Sequence, residues 1–207
     1  VGKDTVYRFL DSPYGKLIRG KRKKKKPRRG RRKVTQLVGR RFIEERPKII
    51  EKRGRVGDAE ADFIVSGKDG RGILLTLVDR KLRTAFLEPI RTVTVDAVHA
   101  AFVRIHDRFP ELRTLSLDND ILFTMHATLA TLLGTPVYFC HPYHSWEKGS
   151  IENMNGIIRR NIPKGSDLSR YDDDTFPALE EKLNNRFLAC LGYATPAEAL
   201  AAHRRRT

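Results

Sequence analysis

Between residues 62 and 91 the chain alternates short apolar runs with polar turns. "DFIVSG" (62–67), "GILLTLVD" (72–79) and "TAFLEPIR" (84–91) are rich in β-branched and aliphatic residues. Gly/Lys/Asp and Arg/Lys stretches separate them, which predicts three consecutive antiparallel strands. The period then changes. In 94–109 Val98, Ala101, Phe102, Ile105 and Phe109 recur at i, i+3, i+4, i+7 and i+11, an amphipathic helix with Thr94 as its N-cap and Pro110 beyond its end. "TLSLD" (114–118) reads as a buried strand, "HATLATLLG" (126–134) as a helix closed by Gly134, and "PVYFC" (136–140) as a further strand. Residues 152–161 and 176–191 read as helices. Strand–helix–strand connections require parallel neighbours, so the expected class is α/β: a mixed five-stranded sheet flanked by helices.

Upstream of residue 55 the pattern is different. Residues 1–20 mix apolar and basic positions and predict a short helix ending near Ser12-Pro13. "KRKKKKPRRGRRK" (21–33) is cationic at 11 of 13 positions, with nothing to bury, and is expected to be disordered until it meets an anion. Charge follows the same division: residues 1–56 carry 22 Lys and Arg against 5 Asp and Glu, the remainder 19 against 20. The net charge of +16 thus belongs to a basic N-terminal arm beside a nearly neutral domain, and it points to a polyanionic partner. Three segments follow: 1–20, mixed apolar and basic; 21–54, a basic linker; and 55–207, a nearly neutral domain. Lys23, Lys24, Arg28, Arg29, Arg31 and Arg32 are the arm's candidate phosphate contacts, salt-dependent and blind to base sequence. Two cysteines, Cys140 and Cys190, make no disulfide framework, which favours a reducing cytoplasm. No apolar run reaches the ~18–20 residues of a membrane span.

Three acids stand out by position. Asp62 is expected to open the first strand, Asp118 ends the fourth, and Glu152 begins a helix 34 positions later. Taken singly, Asp118 is a turn residue and Glu152 a first-turn acid favoured by the helix dipole. Taken together they would repel one another unless a cation lay between them, and hard carboxylate oxygens suit Mg²⁺ or Mn²⁺. Two such ions serve phosphodiester chemistry. Around Glu152, "SWEKGSIENMNG" sets Gly149, Ser150 and Gly156 where a DNA backbone could approach closely. Asn155 and Arg159 share the face of Glu152 and, with Lys148, are candidate contacts to phosphate or base edges. Trp146 is placed either against a base or against the fold. Cys140, His141 and His144 are spaced too tightly for the usual zinc pairs.

"VGDAEADFIVSG", "LSLDND" and "PYHSWEKGSIENMNGIIRRNIPKGSDLS" resemble the catalytic core of bacterial insertion-sequence transposases of the IS-thirty type, within the ribonuclease-H-like integrase superfamily. "GYATPAEAL" (192–200) is similar to the family's C-terminal signature. The family's hallmark is an Asp, Asp, Glu triad with 33 residues between the second and third acids, and Asp118 to Glu152 encloses 33. The resemblance implies that Asp62, Asp118 and Glu152 hold two Mg²⁺ or Mn²⁺ ions. Water would then attack the phosphodiester at a transposon end, freeing a 3′-hydroxyl that attacks target DNA. It also implies double-stranded DNA as partner, a homo-oligomer on that DNA, and a prokaryotic, nucleoid-associated setting. Asp58 is the rival first acid, since "GDAEAD" offers two.

The chain departs from the pattern in places. Asp120 stands where the family has Gly, Ala59 and Ala61 where an aromatic residue and Gly are usual, and Phe187 where Pro is expected. The resemblance implies an N-terminal helix-turn-helix DNA-binding region, of which 1–20 would be a remnant, and makes 55–207 the integrase-type catalytic core. Two rival functions therefore stand beside the transposase: a truncated DNA-binding remnant whose metal site Asp120 weakens, and a nuclease without strand transfer.

Overall fold

The structure, a computed structural model, describes residues 2–15, 39–123, 125–141 and 144–206. The candidate arm contacts Lys23, Lys24, Arg28, Arg29, Arg31 and Arg32 lie outside them, as does the Trp146 side chain. The chain divides into two units, 1–36 and 37–207. In the first, helix α1 (Lys3–Asp11) stops at Ser12, whose hydroxyl donates back to the Phe9 carbonyl.

The second unit is built on one six-stranded sheet. Its strands are β1 (Arg41–Phe42), β2 (Asp58–Val65), β3 (Ile73–Asp79), β4 (Ala85–Ile90), β5 (Thr114–Leu117) and β6 (Val137–Phe139). They lie in the order β1-β6-β5-β2-β3-β4. β2, β3 and β4 form the antiparallel meander expected from the apolar runs; β5, β6 and β1 join it in parallel. The sheet therefore has one strand more than the five expected. The extra strand is two residues long, too short for a period-2 pattern to show, and it pairs Arg41 and Phe42 with Tyr138 and Phe139. The described part of 21–54 is accordingly folded: after β1 come a 3₁₀ turn (Ile43–Glu45) and a short helix α2 (Lys48–Glu51), with Ile43 and Ile50 buried.

Side-chain alternation gives the sheet two faces. Ala59 and Ala61 of β2 and Leu75 and Leu77 of β3 face one core, into which α3 (Val95–Arg108) sends Val98, Phe102 and Ile105. α4 (His126–Leu133) adds Leu129 and Leu133 to it and ends at Gly134 in the left-handed region. Ile64, Leu74 and Val78 face the opposite way, against α5 (Gly149–Asn161) and α6 (Thr175–Asn184). A last helix, α7 (Pro196–Arg204), is closed at its N-terminus by a Thr195–Glu198 capping box. Thr94 caps α3 as expected, its hydroxyl accepting from Ala97 N. Thr94→Ala should therefore cost about 1 kcal/mol in urea unfolding, as loss of a cap usually does.

Two expectations are corrected. Asp62 does not open its strand: β2 starts at Asp58, and Asp62 sits in mid-strand opposite Thr76. The alanines at 59 and 61 weaken the apolar signal that would have shown the earlier start. The helix expected over 176–191 ends at Asn184 and resumes only as a 3₁₀ turn at Ala189–Leu191. Gly57 fixes the entry to β2. Its φ is +97°, and a Cβ there would lie 1.9 Å from the Glu111 carbonyl oxygen, so only glycine fits.

Candidate active site

The parallel register between β2 and β5 pairs Asp58 with Thr114 and Glu60 with Ser116. Two positions further on, along both strands, stand Asp62 and Asp118. Their carboxylates converge on one ammonium: Lys148 Nζ lies 3.2 Å from Asp118 Oδ2 and 3.6 Å from Asp62 Oδ2. Lys148 is 6% exposed. Burial alone would lower its pKa, but the two carboxylates outweigh burial and raise it. Burial pushes the Asp62 pKa up; Lys148 pulls it back and Asp118 adds to the rise. Lys148, expected as a nucleic-acid contact, is thus engaged on the acids.

Asn155 also lies beside them. Its Nδ2 donates to Asp62 Oδ2 at 3.1 Å, and its Oδ1 accepts from Thr76 Oγ1 at 2.9 Å. Glu152 lies in the first turn of α5, three residues before Asn155 on the same face, exposed and with no hydrogen bond or ion pair to its carboxylate among the described residues. Arg159 completes that face but donates to the carbonyls of Val65 and Pro163, so it braces the end of β2. A Cβ at Gly149 or Gly156 would meet nothing within 4 Å, so packing demands glycine at neither position.

The rival first acid is engaged by other partners. Asp58 is fully buried, paired with Arg55 at 3.0 Å and accepting from Thr114 Oγ1 at 2.7 Å. Asp120 is occupied as well. Its backbone N–H donates to Asp118 Oδ1, while its own Oδ1 accepts from Leu122 N at 2.9 Å and closes the 3₁₀ turn at Ile121–Phe123. The carboxylate that replaces glycine is engaged by backbone.

The sequence reading missed Glu60. It is 1% exposed, and its Oε2 accepts from the backbone N–H groups of both Ser150 and Ile151 at 3.0 Å. α5 has no side-chain cap of its own, so a carboxylate from the central strand supplies one at the positive end of the helix dipole. Glu60 Oε1 lies 3.0 Å from Arg80 Nε, a close ion pair without an aligned hydrogen bond. Acids at 58, 60 and 62 on one face of an otherwise apolar strand were the available signal. Just before α5, Glu147 Oε1 lies 3.1 Å from His141 Nδ1 and 3.2 Å from His144 Nδ1, which fastens the turn leading into the helix. Cys140 is buried, its thiol pushed up to about 12, first by burial.

The donors at the mouth of the site are hard oxygens, and the two aspartates already enclose one positive charge. That arrangement fits a divalent cation taking the place of the ammonium. The mixed sheet flanked by helices is the ribonuclease-H-like fold of integrase catalytic cores. Among solved structures, the catalytic core domain of BIV integrase matches with a TM-score of 0.53 at 17% identity, over 72% of this chain and 97% of that one. The HTLV-2 integrase catalytic core domain, solved in complex with magnesium, matches with a TM-score of 0.50 at 15% identity, over 67% and 91%.

By sequence, the chain is a homologue of insertion-sequence transposases, IS30 members among them. It is 37% identical to the transposase of IS4351 from Bacteroides fragilis over 96% of its own length and 63% of the relative's. It is 31% identical to transposase InsI of IS30A from Escherichia coli over 84% and 45%. The chain thus spans less than two thirds of the length of these relatives. No family model matches it.

Proposed function

We propose that the chain is the catalytic domain of a transposase, cleaving DNA strands and transferring them during insertion-sequence transposition. The convergence of Asp62 and Asp118 on one buried ammonium carries this reading. Nothing in a DNA-binding surface calls for two acids held around one positive charge. In the assignment we favour, Asp62, Asp118 and Glu152 hold two Mg²⁺ or Mn²⁺ ions. When bound, these would polarise the scissile phosphodiester and stabilise charge on the attacking and leaving oxygens. Asn155 orients the Asp62 carboxylate, and Glu60 holds α5, and with it Glu152, on the strand that carries Asp62.

Lys148 balances the two carboxylates, and displacement by a divalent ion would free its ammonium for a DNA phosphate. Gly149 and Gly156 leave room for the backbone of that DNA. The homology to transposases supports duplex DNA, both element ends and target, as substrate. The basic arm adds sequence-independent affinity, and assembly as a homo-oligomer on DNA in a prokaryotic cytoplasm belongs to the same reading. Among the described residues no helix is long and apolar enough to cross a membrane.

The test is nicking of supercoiled plasmid. Cleavage should occur with Mn²⁺ and stop in EDTA. A protein that retains plasmid under both conditions and never cuts it is instead the DNA-binding remnant, and the transposase reading fails.

A further inference from the structure

On the other flank of α5 lies a groove of about 320 Å³ lined by three arginines, Arg53, Arg83 and Arg186, with Ser150 and Asn153 of α5 along it. These α5 positions follow i, i+3 spacing, and Arg160 continues the row at i+10. The row points away from the face that carries Glu152, Asn155 and Arg159. From Ser150 to Arg160 it runs about 15 Å at helical rise, roughly four nucleotides of a DNA strand at 3.4 Å each.

Two features of these arginines bear on what the groove could hold. Among the described residues, Arg55, Arg80, Arg91, Arg104, Arg108, Arg170 and Arg204 form ion pairs with acids. Arg53, Arg83, Arg160 and Arg186 form no salt bridge among the described residues, and the nearest acid acting on Arg53, Glu60, is already paired with Arg80. Arg83 donates to the Ser150 hydroxyl at 2.7 Å and Arg186 to the Leu183 carbonyl at 3.1 Å, both neutral acceptors. Burial, with repulsion from Arg83 and Arg80, holds the Arg53 pKa down; burial and Arg160 do the same to Arg186.

The second feature is backbone strain. The described non-glycine residues with positive φ are Arg53 (52°), Arg83 (62°) and Tyr193 (65°), and two of these three line this groove. A left-handed non-glycine residue costs on the order of 1–3 kcal/mol. Glycine would relieve that strain at both turns, so the arginine side chains are what these positions retain. Unpaired guanidinium groups held together by strained backbone are suited to an anion with repeating charge.

We propose that this groove grips the phosphate backbone of duplex DNA on the flank of α5 opposite Glu152, as a DNA subsite separate from the catalytic face. The inference rests on the transposase reading only in taking DNA as the substrate. A helix about 10–12 Å across with its side chains separates the two faces, so one duplex segment lying on Glu152 leaves the groove open to another segment.

The experiment measures affinity for a short random-sequence duplex across a salt series, in EDTA, with the whole chain. Cleavage plays no part in this readout, so it stands or falls apart from the nicking test. The double variant Arg53→Gly/Arg83→Gly should bind about tenfold more weakly, with the slope of log K against log salt reduced by about 1 per arginine. Its Tm should hold or rise, since strain is relieved. Arg53→Lys/Arg83→Lys should keep most of the slope. An unchanged slope in the glycine variant overturns the proposal, as does an equal loss in Arg91→Gly, which removes a paired arginine elsewhere on the surface. If the glycine variant fails to fold, Arg186→Gln, away from both strained turns, is read by the same slope criterion.

Discussion

Glu60→Gln should destabilise the folded unit by about 3–5 kcal/mol, the usual consequence of removing one partner of a buried ion pair. The substitution keeps the shape of the side chain and one oxygen for the N-terminus of α5. It leaves the Arg80 guanidinium, on a residue only 7% exposed, without its countercharge. The Arg80 Nη1 bond to the Ile50 carbonyl survives, and a neutral acceptor does not replace a carboxylate. By contrast Arg91→Ala, which breaks the pair with Asp173 on the open surface, should cost no more than about 1 kcal/mol. Urea unfolding of the two variants distinguishes the sites. Glu60→Gln/Arg80→Met should recover much of the loss, because the orphaned charge goes with its partner. A cost below about 1 kcal/mol for Glu60→Gln would mean that Arg80 does not depend on the Glu60 carboxylate for its countercharge.

The sheet was largely legible because its signals are local. The apolar runs of β3 and β4, the periodicity of α3 with Thr94 at its head, and Gly134 after α4 each record one element in consecutive residues. β1 left no such trace: two residues make a strand only because β6 offers an edge. The start of β2 was obscured by its own chemistry. Asp58 and Glu60 look like turn material, yet one is paired with Arg55 and the other with Arg80 inside the fold.

The acids of the candidate site were found by spacing and by resemblance, and their contacts had to come from tertiary structure. No pattern in "SWEKG" announces that the Lys148 ammonium lies between Asp62 and Asp118. None in "GDAEAD" announces that the middle acid caps a helix some 90 positions away. Asp120 shows the converse. As a departure from the family it suggested a weakened metal site, and in the structure its carboxylate accepts from Leu122 N in the following turn.

Asp118→Asn should lower Mn²⁺-dependent nicking by about a hundredfold or more. Loss of an outer-shell partner already costs about 10–100-fold in metal affinity or activity, and Asp118 is proposed as a direct ligand. The variant also changes the charge balance. Lys148 would keep only Asp62 at 3.6 Å, and Asp62 would lose the neighbour that helps to raise its pKa, so the ammonium and the remaining carboxylate become a simple pair. A divalent ion would then have to displace Lys148 with one carboxylate fewer to receive it. Mn²⁺ should therefore raise the Tm of the wild type, since a ligand that binds only the folded state stabilises it, and raise that of Asp118→Asn much less. This readout does not depend on cleavage. Glu152→Gln provides the comparison, because its carboxylate has no partner among the described residues and its loss should move the Tm by no more than about 0.5 kcal/mol equivalent. Nicking should fall in both variants while duplex binding in EDTA is retained. Full nicking by Asp118→Asn, with an unchanged Mn²⁺ shift in Tm, would remove Asp118 from the metal site and leave its contact with Lys148 as a structural ion pair.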